Sequence, residues 1–489
     1  MFLCIFGRAM FIDRQAELEF LQNMLTRTRP GPGQLILLYG RRRVGKTALL
    51  RYWAEGSGLP WTYWMAQREP ALLQRRRLTA ALLGRSLAAT DTPTFDSWPD
   101  LWDAAARILG GQRHILMLDE LPYAAEADPA MLSALQYTWD THFQNSQVIL
   151  ALCGSHVRSM EALLARQSPL FGRMTGQWHL QPLPFGTLRE FFPNWAPDEQ
   201  VATYAILGGV PAYLAWFETN WSLTENIRHQ MLRPGSLALA EVEFLLYDDV
   251  REPRSYLNIL QAIGNGAHAL SEIANATLIA TTNLTTYLAQ LQELRLVERR
   301  LPATVPPALR QRSKQGRYHL TDPFHRFYFR FLQPNQAEIS YQPDRVLPLI
   351  QQGLRAFVGQ TAWEELARQW VWRRGMERAL PFAPEVIGSH WSRTVQADVV
   401  AINWKTRAIF IGECKWGDAA VDRQTVRDLI ERMVPLTVAD LPDHGAGWQV
   451  YPALFARVGA TPAARKTLEA AGGILIDLQM LFEDLAETQ

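Results

Sequence analysis

The stretch "QLILLYGRRRVGKT", residues 34–47, decides how the chain begins to fold. Its first six residues form an apolar run of the length of a buried strand. Next, "GRRRVGKT", residues 40–47, fits the pattern G-x-x-x-x-G-K-[ST], and helical spacing follows it. Each position has a physical duty. Gly40 and Gly45 let the backbone turn so that its N–H groups converge on phosphate oxygens. Arg41, Arg42, Arg43 and Val44 complete the loop, and Ala48 continues the helix that opens near Thr47. That helix adds its positive end. Lys46 supplies a point charge for the β- and γ-phosphates of ATP, and the Thr47 hydroxyl is a ligand for Mg²⁺.

Two more apolar strands lie downstream, "HILMLDE" at 114–120 and "QVILALCGS" at 147–155, with helical segments between. This alternation predicts an α/β fold, a parallel sheet with helices on both faces. Ligands collect at the C-terminal ends of such strands. Asp119 is therefore expected to hold Mg²⁺, and Glu120 to polarise the attacking water as general base. Ser155 is placed to sense the γ-phosphate. Arg173, in "SPLFGRMTG", is a candidate arginine finger, because phosphoryl transfer gains from a positive charge supplied late. Acting in trans it would require a multimer; acting in cis it would not.

At 489 residues the chain is too long for one core, and about three domains of roughly 150 residues are expected. A hydrophobic share of 48% and a charged share of 20% are ordinary for a soluble globular protein. Net charge is +1, so contacts with nucleic acid have to come from local patches. Cys4, Cys153 and Cys414 are scattered and odd in number. That argues against a disulfide framework or zinc cluster and for a reducing cytoplasm. No apolar run approaches ~18 residues, so no membrane span is expected. The opening "MFLCIFGRAM" lacks the basic flank and full apolar core of a signal peptide. The organised sequence begins at Phe11, which leaves Met1 and Met10 as alternative starts.

From residue 196 the pattern turns mainly helical. "SYLNILQAI", "LSEIANA" and "TTNLTTYLAQLQELRLV" read as three short helices. "VERRLPA" and "GRYHLTD" read as a two-stranded ribbon around "TVPPALRQRSKQ". Together they predict a winged helix. Thr281, Thr282, Asn283, Thr285 and Thr286 would face a DNA groove, and Arg310, Arg312, Lys314 and Arg317 would meet phosphates. The alternative is a domain that packs on the ATPase and transmits its state.

Of the 49 Lys and Arg residues only five are Lys: 46, 314, 405, 415 and 466. One ends the apolar run "IFIGECKW", 409–416, within "ADVVAINWKTRAIFIGECKW", 397–416. Two apolar runs around a polar centre predict a hairpin with a two-residue loop at Lys405-Thr406. Ile402 then faces Ile409, Val400 faces Ile411, and Asp398 faces Glu413, with Lys415 beyond on the same face. A one-residue slip would separate them. Two carboxylates in one place call for a second divalent ion, which would activate water or stabilise the leaving oxygen of a phosphodiester. Lys415 would neutralise charge developing on the phosphate. The helix "FVGQTAWEELARQWVWR", 357–373, offers Glu364 as a further acid, with Glu365 its rival on a different helix face.

The pieces "FIDRQAELEFL", "LLYGRRRVGKT", "ILMLDELPYA", "LCGS", "SPLFGR" and "LGGVPAYL" resemble, in that order, the archaeal-type predicted ATPases, P-loop proteins of the AAA/STAND type. The resemblance implies that Phe11 to Arg14 border the adenine. It also implies that Gly209, Val210 and Pro211 form a lid motif, with Pro211 at the nucleotide. Further on, "YHLTDPFHRFYFRFLQP", "FVGQTAWEELAR", "IGSHW" and "ADVVAIN…IFIGECKW" resemble the domain of uncertain function that commonly follows these ATPases. That domain is regarded as similar to restriction-type nucleases of the PD-(D/E)xK fold. Relatives often read Glu-Ile-Asp where this chain has Gln396-Ala397-Asp398.

The expected division is a P-loop ATPase domain at 11–195, a helical lid at 196–249, a winged helix at 250–322 and a restriction-endonuclease-like α/β domain at 323–489. Two functions fit it. In one, ATP hydrolysis gates a metal-dependent nuclease acting on DNA. In the other, the ATPase is a non-cutting switch whose last domain docks a partner protein or DNA.

Overall fold

The computed structural model describes residues 11–27, 31–86, 93–250 and 252–486. The opening decapeptide, with Cys4 and the alternative starts Met1 and Met10, lies outside them. Two compact units form. One comprises the chain up to Leu183 with Val210–Ala212, the other Pro184–Gly209 with the chain from Tyr213 onward. Among the described residues no helix is long and apolar enough to cross a membrane.

The first unit holds five strands: β1 (Gln34–Tyr39), β2 (Trp61–Met65), β3 (His114–Asp119), β4 (Val148–Gly154) and β5 (Gly176–His179). They are all parallel, in the order β2-β3-β4-β1-β5. Every residue of β1 and β4 is buried. Leu35 and Leu37 face a core with Trp98, Trp102 and Leu135, while Ile36 and Leu38 face a second core with Leu49, Trp53 and Ile149. Helices on both faces therefore explain why these strands read as unbroken apolar runs. β2 and β5, at the two edges, gave no such run. Trp61 and Met65 at the ends of β2 are exposed, and β5 is only four residues long.

In the second unit the three helices expected after residue 250 are present, at Pro253–Gly264, Leu270–Thr277 and Thr281–Glu293. The ribbon is present too: β6 (Val297–Arg300) pairs antiparallel with β7 (Arg317–Leu320). The loop between them docks on the C-terminal sheet. Ala303 N–H donates to the Ser389 carbonyl at 2.9 Å, and the Ala303 side chain joins that sheet's core. Thr304 Oγ1 lies 2.8 Å from His390 Nδ1, whose Nε2 lies 2.9 Å from Asp440 Oδ2. Arg317 lies over the Trp391 ring at 4.8 Å. Arg312 and Lys314 stay exposed.

The C-terminal sheet is mixed. β8 (Val386–Trp391), β9 (Gln396–Asn403) and β10 (Ala408–Lys415) are antiparallel neighbours; β11 (Gln449–Ala456) and β12 (Ile474–Asp477) add parallel to β10. The hairpin register is the expected one, Ile409 opposite Ile402 and Ile411 opposite Val400. Its loop is longer than expected: the strands part after Asn403–Ala408, leaving four residues where two were expected. Asn403 Oδ1 accepts the N–H groups of Lys405 and Thr406, and Arg407 takes φ +53°. An Asx turn thus outcompetes the tighter loop without shifting the strands. The helix around Glu364 starts earlier than expected, at Val346, and reaches Met376 through one widened turn at Gly359–Trp363.

Candidate functional site

β4 lies between β1 and β3, so the carboxyl ends of all three strands stand side by side. After β1 the chain turns through Gly40–Gly45 into the helix Lys46–Gly56. A Cβ on Gly40 would sit 2.3 Å from the Leu180 carbonyl oxygen, so only glycine fits this close approach. Gly45 takes φ +94°, and Arg43 takes φ +68° at a strain cost of about 1–2 kcal/mol. Lys46 is 6% exposed, and its ammonium donates to the carbonyls of Gly40 and Arg41 at 2.8 and 2.9 Å. The charge is thus anchored across the mouth of its own loop, suited to a polyphosphate. Arg42 donates to the Tyr123 hydroxyl at 2.9 Å, Val44 is buried, and Ala48 is exposed in the first helical turn.

Asp119 ends β3 and Glu120 follows it. The Thr47 hydroxyl donates to Asp119 Oδ2 at 2.5 Å. These two oxygens are the kind of hard donors that Mg²⁺ takes. Glu120 takes φ +51°, which turns its side chain away from the Asp119 direction. The Ser155 N–H and hydroxyl both donate to Glu120 Oε2, at 3.1 and 3.0 Å. The predicted Mg²⁺ ligands, general base and sensor are therefore within one hydrogen-bonded group.

Other expected residues sit elsewhere. The Arg173 guanidinium makes a bidentate pair with Asp140, at 2.8 and 2.7 Å, and donates to the carbonyls of Pro169 and Phe171. Pro211 belongs to the short segment Val210–Ala212 that groups with the first unit. Phe11 stacks on Tyr52, centroids 4.8 Å apart. Arg14, expected near adenine, is 6% exposed and donates to the Val44 carbonyl at 3.2 Å and to Gln181 at 2.9 Å, buttressing the phosphate loop. Nothing in its local sequence announced that role. Tyr63 was missed as well: its hydroxyl donates to Asp119 Oδ2 at 2.9 Å.

At the far end of the chain, Glu413 accepts from the Lys415 ammonium at 2.6 Å, and Asp398 Oδ2 accepts from the Cys414 N–H at 3.0 Å. Arg368 donates to the Asp398 carbonyl at 2.9 Å and lies 3.5 Å from Glu364. Glu365 turns the other way, to Arg326 at 3.1 Å, whereas Glu364 lies within reach of the Asp398 charge. Burial and then the neighbouring Asp398 push the carboxyls of Glu364 and Glu413 well above the ordinary range, and burial also raises Asp398. Burial pulls the Lys415 ammonium down, but Glu413 and Asp398 outweigh it and hold it above its ordinary value.

Glu364 and Glu413 reach Asp398 from different elements. Glu413 shares a face of β10 with Ile409 and Ile411. Glu364 approaches from the opposite face, where Trp363 donates to the Phe455 carbonyl and Trp370 packs on the Phe455 ring. Among the described residues, no three His, Cys, Asp or Glu side chains gather as a metal-holding group. Both Glu364 and Glu413 lie close enough to Asp398 for its charge to raise their carboxyls.

A phosphate loop and a strand-end carboxylate pair on a parallel sheet define a P-loop nucleotide hydrolase. Sequence comparison agrees. Residues 11–217 match an ATPase domain predominantly from Archaea, and residues 328–428 match a domain of archaeal and bacterial proteins of unknown function. The chain belongs to the family of archaeal-type ATPases that combine these two domains, and it is an ATP-binding ATPase. An uncharacterized protein of Methanocaldococcus jannaschii is 31% identical over 412 residues, 84% of this chain and 88% of its own length. An uncharacterized ATP-binding protein of the same organism is 45% identical over 51 residues, 10% of this chain and 81% of its own. Among solved structures, a Walker-type ATPase of Pyrococcus abyssi has a TM-score of 0.46 at 19% identity, covering 65% of this chain and 96% of its own. The ORC2 protein of Aeropyrum pernix has a TM-score of 0.44 at 14% identity, covering 71% and 97%.

Proposed function

We propose that the chain is an ATP-driven enzyme acting on nucleic acid, with a phosphodiester-cleaving site at the end of the β9–β10 hairpin. In the first unit, Mg²⁺ would neutralise charge on the β- and γ-phosphates of bound ATP. Gly40–Ala48 cradle the phosphates, Lys46 neutralises them, and Thr47 with Asp119 would hold the ion. Glu120, oriented by Ser155, takes the proton of the attacking water. Arg173 joins late only if its pair with Asp140 opens, as an arginine finger must.

The observation that carries the nuclease reading is the convergence of Asp398, Glu413 and Lys415 in one register at the strand ends. Buried carboxylates crowded together are costly, and a divalent ion would relieve them. Asp398 and Glu413 fit such an ion as hard oxygen donors, which would lend Lewis acidity to a phosphodiester. Lys415 would place its ammonium on the scissile phosphate. The exposed hydroxyls and amide of Thr281, Thr282, Asn283, Thr285 and Thr286, read as the recognition helix of a winged helix, support DNA as the nucleic acid.

A second reading is a non-cutting regulator, in which Glu413 stays paired with the Lys415 ammonium at 2.6 Å rather than meeting an ion. Incubating the full chain with single- and double-stranded DNA, Mg²⁺ or Mn²⁺, with and without ATP, decides between them. Cleavage lost in Lys415→Ala is the expected result. No cleavage under any of these conditions would leave the regulator standing.

A further inference from the structure

Tyr63 belongs to none of the sequence motifs, yet it reaches the centre of the ATPase site. β2 pairs with β3 so that Met65 lies opposite Asp119 and Tyr63 opposite Met117. From there the phenol extends to Asp119 Oδ2 at 2.9 Å. The same oxygen accepts from Thr47 at 2.5 Å, and Oδ1 accepts the Glu120 N–H at 3.0 Å. On its other side, the Arg51 guanidinium, one turn beyond Thr47, lies 4.3 Å from the Tyr63 ring centroid. The ring is thus held between the phosphate-loop helix and β3.

A carboxylate free to rotate about its last bond presents its oxygens to a metal only part of the time. Two donors on Oδ2 hold the carboxylate against rotation; when the Thr47 hydroxyl turns to the ion it frees one lone pair of that oxygen, and the Tyr63 bond remains. Thr47 alone would leave the carboxylate unheld at that moment. We propose that Tyr63 is a positioning residue: it locks the Asp119 carboxylate in the orientation that, with Thr47, receives the divalent ion of metal–ATP. The phosphates themselves are met by Lys46 and the loop N–H groups, which Tyr63 does not touch. Its effect therefore falls on the metal-dependent part of nucleotide affinity. This rests on Asp119 being a metal-facing residue, as set out above.

The test is the affinity of the full chain for a fluorescent ATP analogue, first in EDTA and then across a Mg²⁺ series. Tyr63→Phe keeps the ring and removes the hydroxyl. Its affinity in EDTA should match the parent, while the gain on adding Mg²⁺ should shrink about five- to tenfold, the scale of one hydrogen bond to a charged acceptor. Arg51→Met keeps the phenol and should retain the full gain. An undiminished Mg²⁺ gain in Tyr63→Phe overturns the proposal. So does an equal loss in EDTA, which would mark a general folding role, or the same loss in Arg51→Met. Asp119→Asn should abolish the gain altogether. If it does not, Asp119 is not metal-facing, and that earlier reading fails separately.

Discussion

Ser155 donates twice to one oxygen of Glu120, from its N–H at 3.1 Å and from its hydroxyl at 3.0 Å. The two residues lie 35 positions apart, at the ends of adjacent parallel strands. Removing the hydroxyl in Ser155→Ala leaves one donor and a less ordered carboxylate. The turnover number should fall about tenfold, with KM for ATP changed far less. Steady-state ATPase assays check this. An unchanged turnover number would show that the hydroxyl does not orient the base.

Lys46 and Glu120 should separate binding from chemistry. Lys46→Ala removes the only ammonium of the phosphate loop and should abolish measurable ATP binding in titration calorimetry. Glu120→Gln keeps the shape and the Ser155 contacts but removes the base. It should bind ATP normally and hydrolyse it at least ~100-fold more slowly. Normal turnover in both variants would sink the site assignment.

Leu278 sits between two helices with φ +57° and is 91% exposed. A left-handed leucine costs about 1–2 kcal/mol, and glycine gives part of that back as unfolded-chain entropy. Leu278→Gly should therefore stabilise the second unit by about 0.5–1 kcal/mol, read as a higher urea midpoint. A lower midpoint would mean that the leucine makes a compensating contact.

His319 lies opposite Glu298 in the ribbon and stacks on His268 at 4.3 Å between ring centroids. Burial first, and then the Arg300 guanidinium, push its imidazole down to about 2. The unfolded chain takes up this proton near pH 6.5 and the folded one does not. Stability contributed by His319 is thus present at neutral pH and lost as pH falls below about 6.5. Between about pH 7.5 and 5.5 the loss is about 1.4 kcal/mol. Urea unfolding of His319→Gln should show a smaller loss over this range by about that amount. An identical pH dependence in both proteins would place the proton elsewhere.

Much of the architecture is legible in the sequence. The buried strands β1, β3 and β4 stood out because both of their faces pack on helices. The edge strands β2, β5 and β8 did not, because an edge strand needs fewer apolar side chains. The hairpin register was legible from alternation alone, whereas its loop length was set by the Asn403 side chain, which spacing does not reveal.

What the sequence by itself determined is whatever is contiguous: the phosphate loop from Gly40 to Ala48, the pair Asp119-Glu120, and the register that places Asp398 near Glu413. Nearby residues leave a local pattern because backbone geometry alone relates them. Tertiary structure decided which distant side chains meet. It gave Asp119 to Tyr63, Glu365 to Arg326 and Thr304 to His390, and it tied Arg173 to Asp140. Those choices depend on how the connections between elements close and on which helix face meets the sheet, and no short-range spacing encodes either.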